Sequence, residues 1–286
     1  MKNINEIHLK YVDDLTLAEA INLPANLVSV PEDARPMPDM YHARTGHVMP
    51  FQEEKSRVLQ QLVKTKQYAD ANDMKINFKK TKMMLFNPCT SIDFQPQFAL
   101  DDQELAVVEE MRVLGITITS DMKWATNTHN MVTRANKKLW VLRRLKKSGA
   151  KQDDLVDIYC KQVRSILEFG VPAWHGGITN DEQIDIERIQ KSACHIILGG
   201  NYTSYKNALK TLYLDPLSVR RDSLCLTFAR KAEKHPKHSK WFKLNDNQVN
   251  TRQYKYKYKE VLAKHDRFER SPLCFLTGLL NDHYKK

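Results

Sequence analysis

The sequence lacks the patterns that mark secreted, membrane-spanning and metal-thiolate proteins. No apolar run opens the chain as a signal peptide would, and no run is long enough to cross a membrane. The five cysteines are widely spaced and odd in number, and none stands in a Cys-x-x-Cys or Cys/His ligand pattern. We therefore expect the cysteines to be buried thiols in a reducing compartment. The protein is expected to be intracellular, and the sequence does not distinguish the cytoplasm from the nucleus. The cysteines are Cys89, Cys160, Cys194, Cys225 and Cys274.

The composition indicates a globular and basic protein. The chain has 286 residues, of which 42% are hydrophobic, and this is enough for one large domain or two modest ones. Lysine and arginine outnumber aspartate and glutamate by 45 to 34, so the net charge is +11. This excess of cations favours a polyanionic partner, and we expect nucleic acid rather than a membrane.

Two adjacent carboxylates near the start of the chain, Asp13 and Asp14, stand between short apolar runs at residues 7–9 and 15–18. The pattern is typical of a tight β-hairpin with acids at its tip. Neighbouring carboxylates repel one another unless a cation or a proton lies between them, and their oxygens suit Mg²⁺. A pair of Mg²⁺ ions can bind both the attacking and the leaving oxygen of a phosphoryl transfer. Ordinary turn chemistry is the alternative, because aspartate is common in turns.

Up to about residue 123 the sequence predicts strands and one helix. The proline-rich residues 23–51 predict a long irregular loop, and residues 52–72 have the apolar spacing of an amphipathic helix. Residues 74–87 predict a short strand, a turn rich in lysine and a second strand. Residues 113–118 are rich in β-formers, and Gly115 there either permits a close backbone approach or marks a bulge.

The remainder of the chain predicts a helical bundle. Residues 124–148 place apolar side chains on one face and leave a basic side exposed, and Gly149 is the expected stop. Residues 153–168 form a second amphipathic pattern, which Pro172 ends.

Two local signals predict where later helices begin. Thr179 with Glu182 three residues later is a capping box, and it opens a helix that the glycine pair 199–200 closes. Asp215 is the expected N-cap of a fourth helix, with Pro216 at the first helical position.

Residues 254–259 alternate tyrosine and lysine. Such a segment could bind single-stranded nucleic acid, with rings stacked on bases and lysines along the phosphates. It is equally the pattern of an amphipathic edge strand. The expected fold class is α+β in three parts: a β-rich part with one helix over residues 1–123, a helical part over 124–234, and a basic, aromatic-rich tail over 235–286.

The order of these motifs resembles the C-terminal part of a non-LTR (LINE-type) retrotransposon reverse transcriptase, and the likeness covers nearly the whole chain. Tyr11-Val12-Asp13-Asp14 is similar to the catalytic turn of that family. Asn77 with Lys80-Thr81-Lys82 is similar to the palm motif that follows the turn, and Leu114-Gly115-Ile116 is similar to the primer-grip hairpin. Its helical thumb is similar to residues 140–146, 163–168, 172–175 and 186–191, and the end of its reading frame to residues 271–273 with 279–281.

The resemblance implies a partial palm β-sheet with one helix, followed by an all-helical thumb bundle. It implies RNA-directed DNA synthesis with Mg²⁺ on an RNA template paired with a DNA primer. The residues that would be catalytic and would bind Mg²⁺ are Asp13 and Asp14. Those that would contact the nucleotide or primer are Tyr11, Lys80, Lys82, Leu114 and Gly115. Those that would hold the backbone of the duplex are Arg143, Arg144 and Lys147.

The chain also departs from this family. There the turn carboxylates work with a further aspartate well upstream, and the fingers also precede the turn, whereas only ten residues precede Tyr11. We therefore expect this chain alone to be inactive, and primer extension by the purified protein with Mg²⁺ would contradict that expectation. The alternative function is a non-catalytic nucleic-acid-binding remnant that holds duplexes through its thumb helices. A helical interaction protein without a nucleic-acid role is a third reading.

Overall fold

The structure, a computed structural model, describes residues 6–11, 14–19, 57–86, 99–100, 103–245, 256–260 and 266–285. Internal contacts divide the chain into two units, Met1–Met111 and Arg112–Lys286. This division differs from the expected borders at 123 and 234. The residues just before 123 pack on the helix that follows them, and the last helix of the chain packs on an earlier helix of the second unit. The expected loop over residues 23–51 lies outside the described residues.

The first unit contains short strands and one long helix. Strands β1 (Glu6–Tyr11) and β2 (Asp14–Glu19) form the predicted antiparallel hairpin, in which Tyr11 pairs with Asp14. Helix α1 spans Arg57–Ala71, inside the predicted range. Four two-residue strands follow, with β3 parallel to β6 and β4 antiparallel to β5. They are β3 (Lys82–Met83), β4 (Ala99–Leu100), β5 (Gln103–Glu104) and β6 (Ala106–Val107).

The strand predicted through Ile76 and Phe78 does not form, because the chain turns at Asn77. The carbonyl oxygen of Asn77 accepts hydrogen bonds from the backbone N–H groups of Lys80 (3.0 Å) and Thr81 (2.9 Å). Its side-chain oxygen also accepts from the N–H of Lys80, at 3.3 Å. Asparagine favours such local bonds over a strand ladder, and the apolar alternation was too short to outweigh them.

The second unit is mostly helical and begins within β7 (Glu110–Val113), which forms a hairpin with β8 (Ile116–Thr119). Its α-helices are α2 (Ala125–Lys147), α3 (Gln152–Ile158), α4 (Ser165–Glu168), α5 (Val171–Trp174), α6 (Asn180–Leu198), α7 (Tyr205–Thr211), α8 (Leu217–Lys234), α9 (Asp266–Glu269) and α10 (Pro272–Tyr284). A π-helical segment, Tyr159–Arg164, joins α3 to α4. Short 3₁₀ segments lie at His175–Gly177, Gly199–Asn201 and Ser239–Trp241.

This content, mostly helix with a few short strands, agrees with the α+β class. None of the helices in the described parts of the chain combines the length and the apolar character that a membrane crossing requires.

The helix predicted over residues 153–168 contains the π-helical turn because of the spacing of its buried side chains. Those with no solvent exposure recur at every fourth residue: Leu155, Tyr159, Val163 and Leu167. An α-helix has 3.6 residues per turn, so a strict spacing of four drifts around its surface. A wider π-helical turn in the middle brings the four side chains back to one line.

The predicted helix ends are confirmed at Thr179, at Gly149 and at Gly199, which directly follows α6, and the helix start predicted at Asp215 and Pro216 is wrong. The Thr179 hydroxyl accepts from the N–H of Glu182 at 3.3 Å, and the Glu182 carboxylate accepts from the N–H of Thr179 at 2.5 Å, so the capping box is present. Gly149 follows α2 with a positive φ of +82°. Asp215 is not an N-cap, however: α8 begins at Leu217, whose N–H donates to Glu187 Oε1 at 3.1 Å.

The core of the second unit lies between α2, the π-helical segment, α6 and α8. Gln190 on α6 is fully buried in this core, and its side-chain oxygen accepts a hydrogen bond from the Tyr159 hydroxyl at 2.5 Å. The amide nitrogen of Gln190 donates to the Tyr205 hydroxyl and to the carbonyl oxygen of Asp215, both at 2.9 Å. A buried network with every group paired favours one packing arrangement over others.

Candidate nucleic-acid interface

Helix α2 carries seven basic residues and no acidic residue among its 23 positions. Like charges one turn apart destabilise an isolated helix, so this composition does not serve the stability of the helix itself. The apolar side chains that anchor α2 in the core are Met131, Ala135, Leu139 and Leu142. The basic residues are Arg134, Lys137, Lys138, Arg143, Arg144, Lys146 and Lys147.

Opposite the core, four exposed side chains form a stripe that we call the basic face: Lys137, Trp140, Arg144 and Lys147. Their spacing of three, four and three residues places them on one side of the helix. The Trp140 side chain is 60% exposed, and the guanidinium carbon of Arg144 lies 5.3 Å from its ring centroid. The cation–π contact orients the guanidinium group while its N–H groups stay in water.

The cations of the basic face form no ion pair with any residue that the structure describes. This holds for Lys137, Arg144 and Lys147, and also for the neighbouring Arg143. Lys146, by contrast, reaches the end of α6 and donates to the carbonyl oxygen of Ile197 at 2.8 Å. Basic residues in a last turn also suit the helix dipole, but this does not account for Lys137. Unpaired exposed cations are the means by which proteins bind polyanions.

The turn of the β7–β8 hairpin is Leu114–Gly115, the pair that the sequence analysis placed near a primer. Both residues have positive φ, +48° and +89°, as in the type I′ turn of a two-residue hairpin. Gly115 therefore lies in a turn and not in a bulge. Glycine adopts this conformation freely, whereas at Leu114 it costs roughly 1 kcal/mol. Since the Leu114 side chain is 47% exposed, packing offsets little of that cost, and strain of this kind concentrates at functional sites.

The hairpin is fastened to α2 and to the turn after α4. The backbone N–H of Thr117 donates to Asn127 Oδ1 of α2 at 3.1 Å. Gly170, with φ +64°, lies so close to the hairpin that an added Cβ would stand 2.5 Å from Cδ1 of Ile116. The position of the hairpin tip relative to α2 is therefore set by a hydrogen bond and by direct packing.

A second arrangement, which we call the buried junction, consists of residues 170–177 and Arg221. Trp174 has no solvent exposure, and its ring N–H donates to the carbonyl oxygen of Phe169 at 2.9 Å. The His175 ring meets the ring of Phe275 edge-on, at 5.4 Å between centroids. The stretch that resembled a thumb signature is therefore a packing centre of the second unit.

The hydrogen bonds of His175 determine its protonation. Its Nδ1 lies 3.2 Å from Nε of Arg221, and its Nε2 lies 2.9 Å from Oδ1 of Asp222. Arginine only donates, so Nδ1 must accept and the proton must be on Nε2, where it is donated to Asp222. Burial and the Arg221 charge lower the pKa of His175, and the Asp222 carboxylate opposes them only in part.

Arg221 is fully buried, and its two terminal guanidinium nitrogens have no hydrogen-bond partner among the described residues. Burial lowers the pKa of Arg221, although the guanidinium group keeps its charge. The Glu187 carboxylate on α6, whose charge acts to raise the pKa of Arg221, already accepts hydrogen bonds from Leu217 and Tyr205. Nothing in the sequence pattern around Arg221 indicated that this residue is buried.

The remaining predicted site residues belong to the first unit. Tyr11 and Asp14 are paired across the β1–β2 hairpin, whereas Asp13 lies outside the described residues. Lys80 stands in the turn at Asn77, Lys82 begins β3, and both are exposed. Across the described ranges no three His, Cys, Asp or Glu side chains come together as metal ligands. The described residues therefore do not by themselves form the Mg²⁺ site that the resemblance implies.

The tyrosine and lysine alternation is described only from residue 256 onward. Tyr258 is 3% exposed and forms a β-bridge with Leu244, and its hydroxyl donates to the Glu233 carboxylate. Lys257 Nζ lies 2.6 Å from the same carboxylate. Burial alone would raise the pKa of Glu233, but hydrogen bonds from Lys257 and two tyrosine hydroxyls lower it. At Tyr258 the ring is used for packing and is not free to stack on a base.

No protein-family model, curated protein or solved structure matches this chain. The function is therefore argued from the charge and geometry of the described residues together with the sequence motifs.

The sequence pattern predicted an exposed basic side on this helix that includes Lys137, Arg144 and Lys147, but it was not used to place the ring of Trp140 beside Lys137 and Arg144. The signal was present, since these residues have helical spacing in a stretch without any acid. A helical projection of residues 125–147 would have placed it there.

Proposed function

We propose that this chain is part of an RNA-directed DNA polymerase and that its second unit holds the RNA template–DNA primer duplex, as the thumb of such an enzyme does. The observation that carries the proposal is the basic face of α2. Its three unpaired cations and exposed tryptophan suit a row of phosphates, which they would contact without reading base sequence.

The position of the hairpin on α2 supports the same proposal. Asn127 holds the hairpin, and Arg144 lies further along the same helix, about 25 Å away at 1.5 Å per residue. This distance spans several base pairs of a duplex. Leu114 and Gly115 would then contact the primer near its end, while Arg143, Arg144 and Lys147 would hold phosphates further along the duplex.

The polymerase part of the proposal rests on Asp13 and Asp14. Mg²⁺ bound by such carboxylates supplies the charge stabilisation that phosphoryl transfer requires. Tyr11 would support the hairpin that carries the two aspartates, and a lysine of the Lys80/Lys82 pair would neutralise triphosphate charge. We attribute nucleotide addition to the parent enzyme, and to this chain the binding of the duplex.

The binding is tested with the full chain and a fluorescent RNA/DNA hybrid of about 20 base pairs, by anisotropy. With about four phosphate contacts we expect the affinity to fall roughly a hundredfold between about 50 and 200 mM salt. Because the contacts are to phosphates, hybrids of different sequence should bind alike. Failure to bind at about 50 mM salt, or an affinity that does not depend on salt, would overturn the proposal.

The alternative, a nucleic-acid-binding module without any catalytic role, shares the same binding. Primer extension on the hybrid, with Mg²⁺ and deoxynucleotides, separates the two. Extension by the purified chain would favour the polymerase and contradict the expected inactivity. Binding without extension agrees with both, and in that case a frame upstream of Met1 that carries a further acidic palm motif would decide for the polymerase.

A further inference from the structure

Tyr213, between α7 and α8, combines two features that rarely occur together. Its side chain is 95% exposed, and its backbone has a positive φ of +53°. A positive φ strains a bulky side chain, and normally packing or hydrogen bonds repay that strain. Tyr213 has almost no packing.

The strain arises from the way α7 ends. The N–H of Leu214 donates to the carbonyl oxygen of Leu209 at 2.9 Å. The N–H of Tyr213 donates to the carbonyl oxygen of Lys210 at 3.3 Å. These are the two bonds of a Schellman motif, in which Tyr213 occupies the left-handed position that is usually glycine. Glycine would close the helix with less strain, so the ring does not serve the fold.

Two lysines stand beside the ring. Lys206 and Lys210 are one turn apart on α7, both are exposed, and together with Tyr213 they line a shallow open groove. Neither lysine forms an ion pair within the described ranges. Asp215 and Pro216 also line the groove, so its lining contains two cations and one carboxylate.

We propose that Tyr213, Lys206 and Lys210 form a second nucleic-acid site, which binds an unpaired strand. An unpaired base would stack on the Tyr213 ring, while the two ammonium groups contact the flanking phosphates. Side chains one turn apart on a helix have Cβ atoms about 6 Å apart, which suits neighbouring phosphates of one strand. A stacking ring beside unpaired cations is the arrangement by which proteins hold single strands without reading sequence. A protein partner is less favoured, because the lysines would leave two charges to be paired.

This inference rests on the proposed function only for the nature of the partner. The probes are single-stranded U and T oligonucleotides of about 12 residues, together with the blunt RNA/DNA hybrid, all measured with the full chain. Tyr213→Gly should bind both oligonucleotides on the order of tenfold more weakly and the blunt hybrid unchanged. The same variant should melt about 3 °C higher, because it relieves the left-handed strain. A variant that is more stable and yet binds worse cannot be explained by misfolding.

Three further variants act as controls. Met122 also has a positive φ, +56°, and is 55% exposed, so Met122→Gly should raise the melting temperature without changing single-strand binding. Tyr213→Phe should keep the affinity, because it keeps the ring. Lys206→Ala with Lys210→Ala should weaken binding and reduce its salt dependence.

The inference is overturned if Tyr213→Gly binds the oligonucleotides as tightly as the unchanged protein, or if the hybrid loses affinity equally. Hybrid binding without single-strand binding would remove this site and leave the proposed function standing. Single-strand binding that depends on Tyr213, without hybrid binding, would support this site and overturn the proposed function.

Discussion

The basic face of α2 and the buried junction each hold a guanidinium group without a carboxylate partner, but only the first is surrounded by water. Arg144 lies exposed over the ring of Trp140, whereas Arg221 has no solvent exposure and two unpaired nitrogens. An unpaired cation in water costs little and can exchange its counterions for phosphates. An unpaired cation in the core is costly. The same lack of a partner therefore costs little on the basic face, where we propose that it serves phosphate binding, and much in the buried junction.

The largest expected effect is the loss of stability when the buried Trp174 is removed, compared with removal of the exposed Trp140. Trp174→Ala should lower the free energy of unfolding by about 3–5 kcal/mol, because it leaves a cavity and the unpaired carbonyl of Phe169. Trp140→Ala should change it by no more than about 0.5 kcal/mol. Urea unfolding followed by circular dichroism measures both. Similar costs for the two variants would contradict the distinction between a packed junction and an open face.

Charge reversal on the basic face should have the next largest effect. The triple variant Lys137→Glu, Arg144→Glu, Lys147→Glu should weaken binding of the RNA/DNA hybrid at least about a hundredfold at low salt. The matched control is Arg230→Glu, Lys231→Glu, Lys234→Glu, which makes the same charge change at exposed positions near the end of α8. Its affinity should change by only a few-fold. Equal losses would mean that net charge, and not the face of α2, governs binding.

The buried junction should make stability depend on pH through His175. The ordinary pKa of histidine is 6.5 and folding lowers that of His175, so the unfolded chain binds the proton first as the pH falls. The neutral form of His175 therefore contributes fully to the free energy of unfolding above pH 6.5. Below that pH the contribution is lost, by up to about 1.4 kcal/mol per pH unit. The free energy of unfolding, measured with urea at a series of pH values, should fall less steeply in His175→Gln. The control variant is His129→Gln, at an exposed position of α2, measured in the same series. An unchanged slope in His175→Gln would contradict this role of His175.

The smallest effect tests the ring contact on the basic face. Arg144→Lys keeps the charge but loses the planar group that stacks on Trp140, so hybrid affinity should fall about two- to fivefold. Arg143→Lys, which removes no such contact among the described residues, should bind as before. Titration by anisotropy at low salt measures both variants. A loss at Arg143 equal to that at Arg144 would show that stacking contributes nothing.

The features predicted correctly depend on residues within a few turns of one another. The capping box at Thr179, the stop at Gly149 and the apolar face of α2 each follow from local spacing and backbone preference. The wrong predictions came where a local pattern met a competing contact. Asp215 did not cap α8, because Glu187 of a different helix accepts the first N–H of that helix. The strand predicted at Ile76 does not form, because the hydrogen bonds of Asn77 turn the chain there.

The site shows the same division between local and distant causes. The sequence alone determined the excess of positive charge, the stretch of α2 without acids, and the hairpin that contains Tyr11 and Asp14, because composition and short-range periodicity decide these. The tertiary structure alone decided that Arg221 is buried and Tyr213 exposed, and that the hairpin tip is fixed to α2. Burial depends on which helices pack together, and residues far apart in the chain supply those contacts.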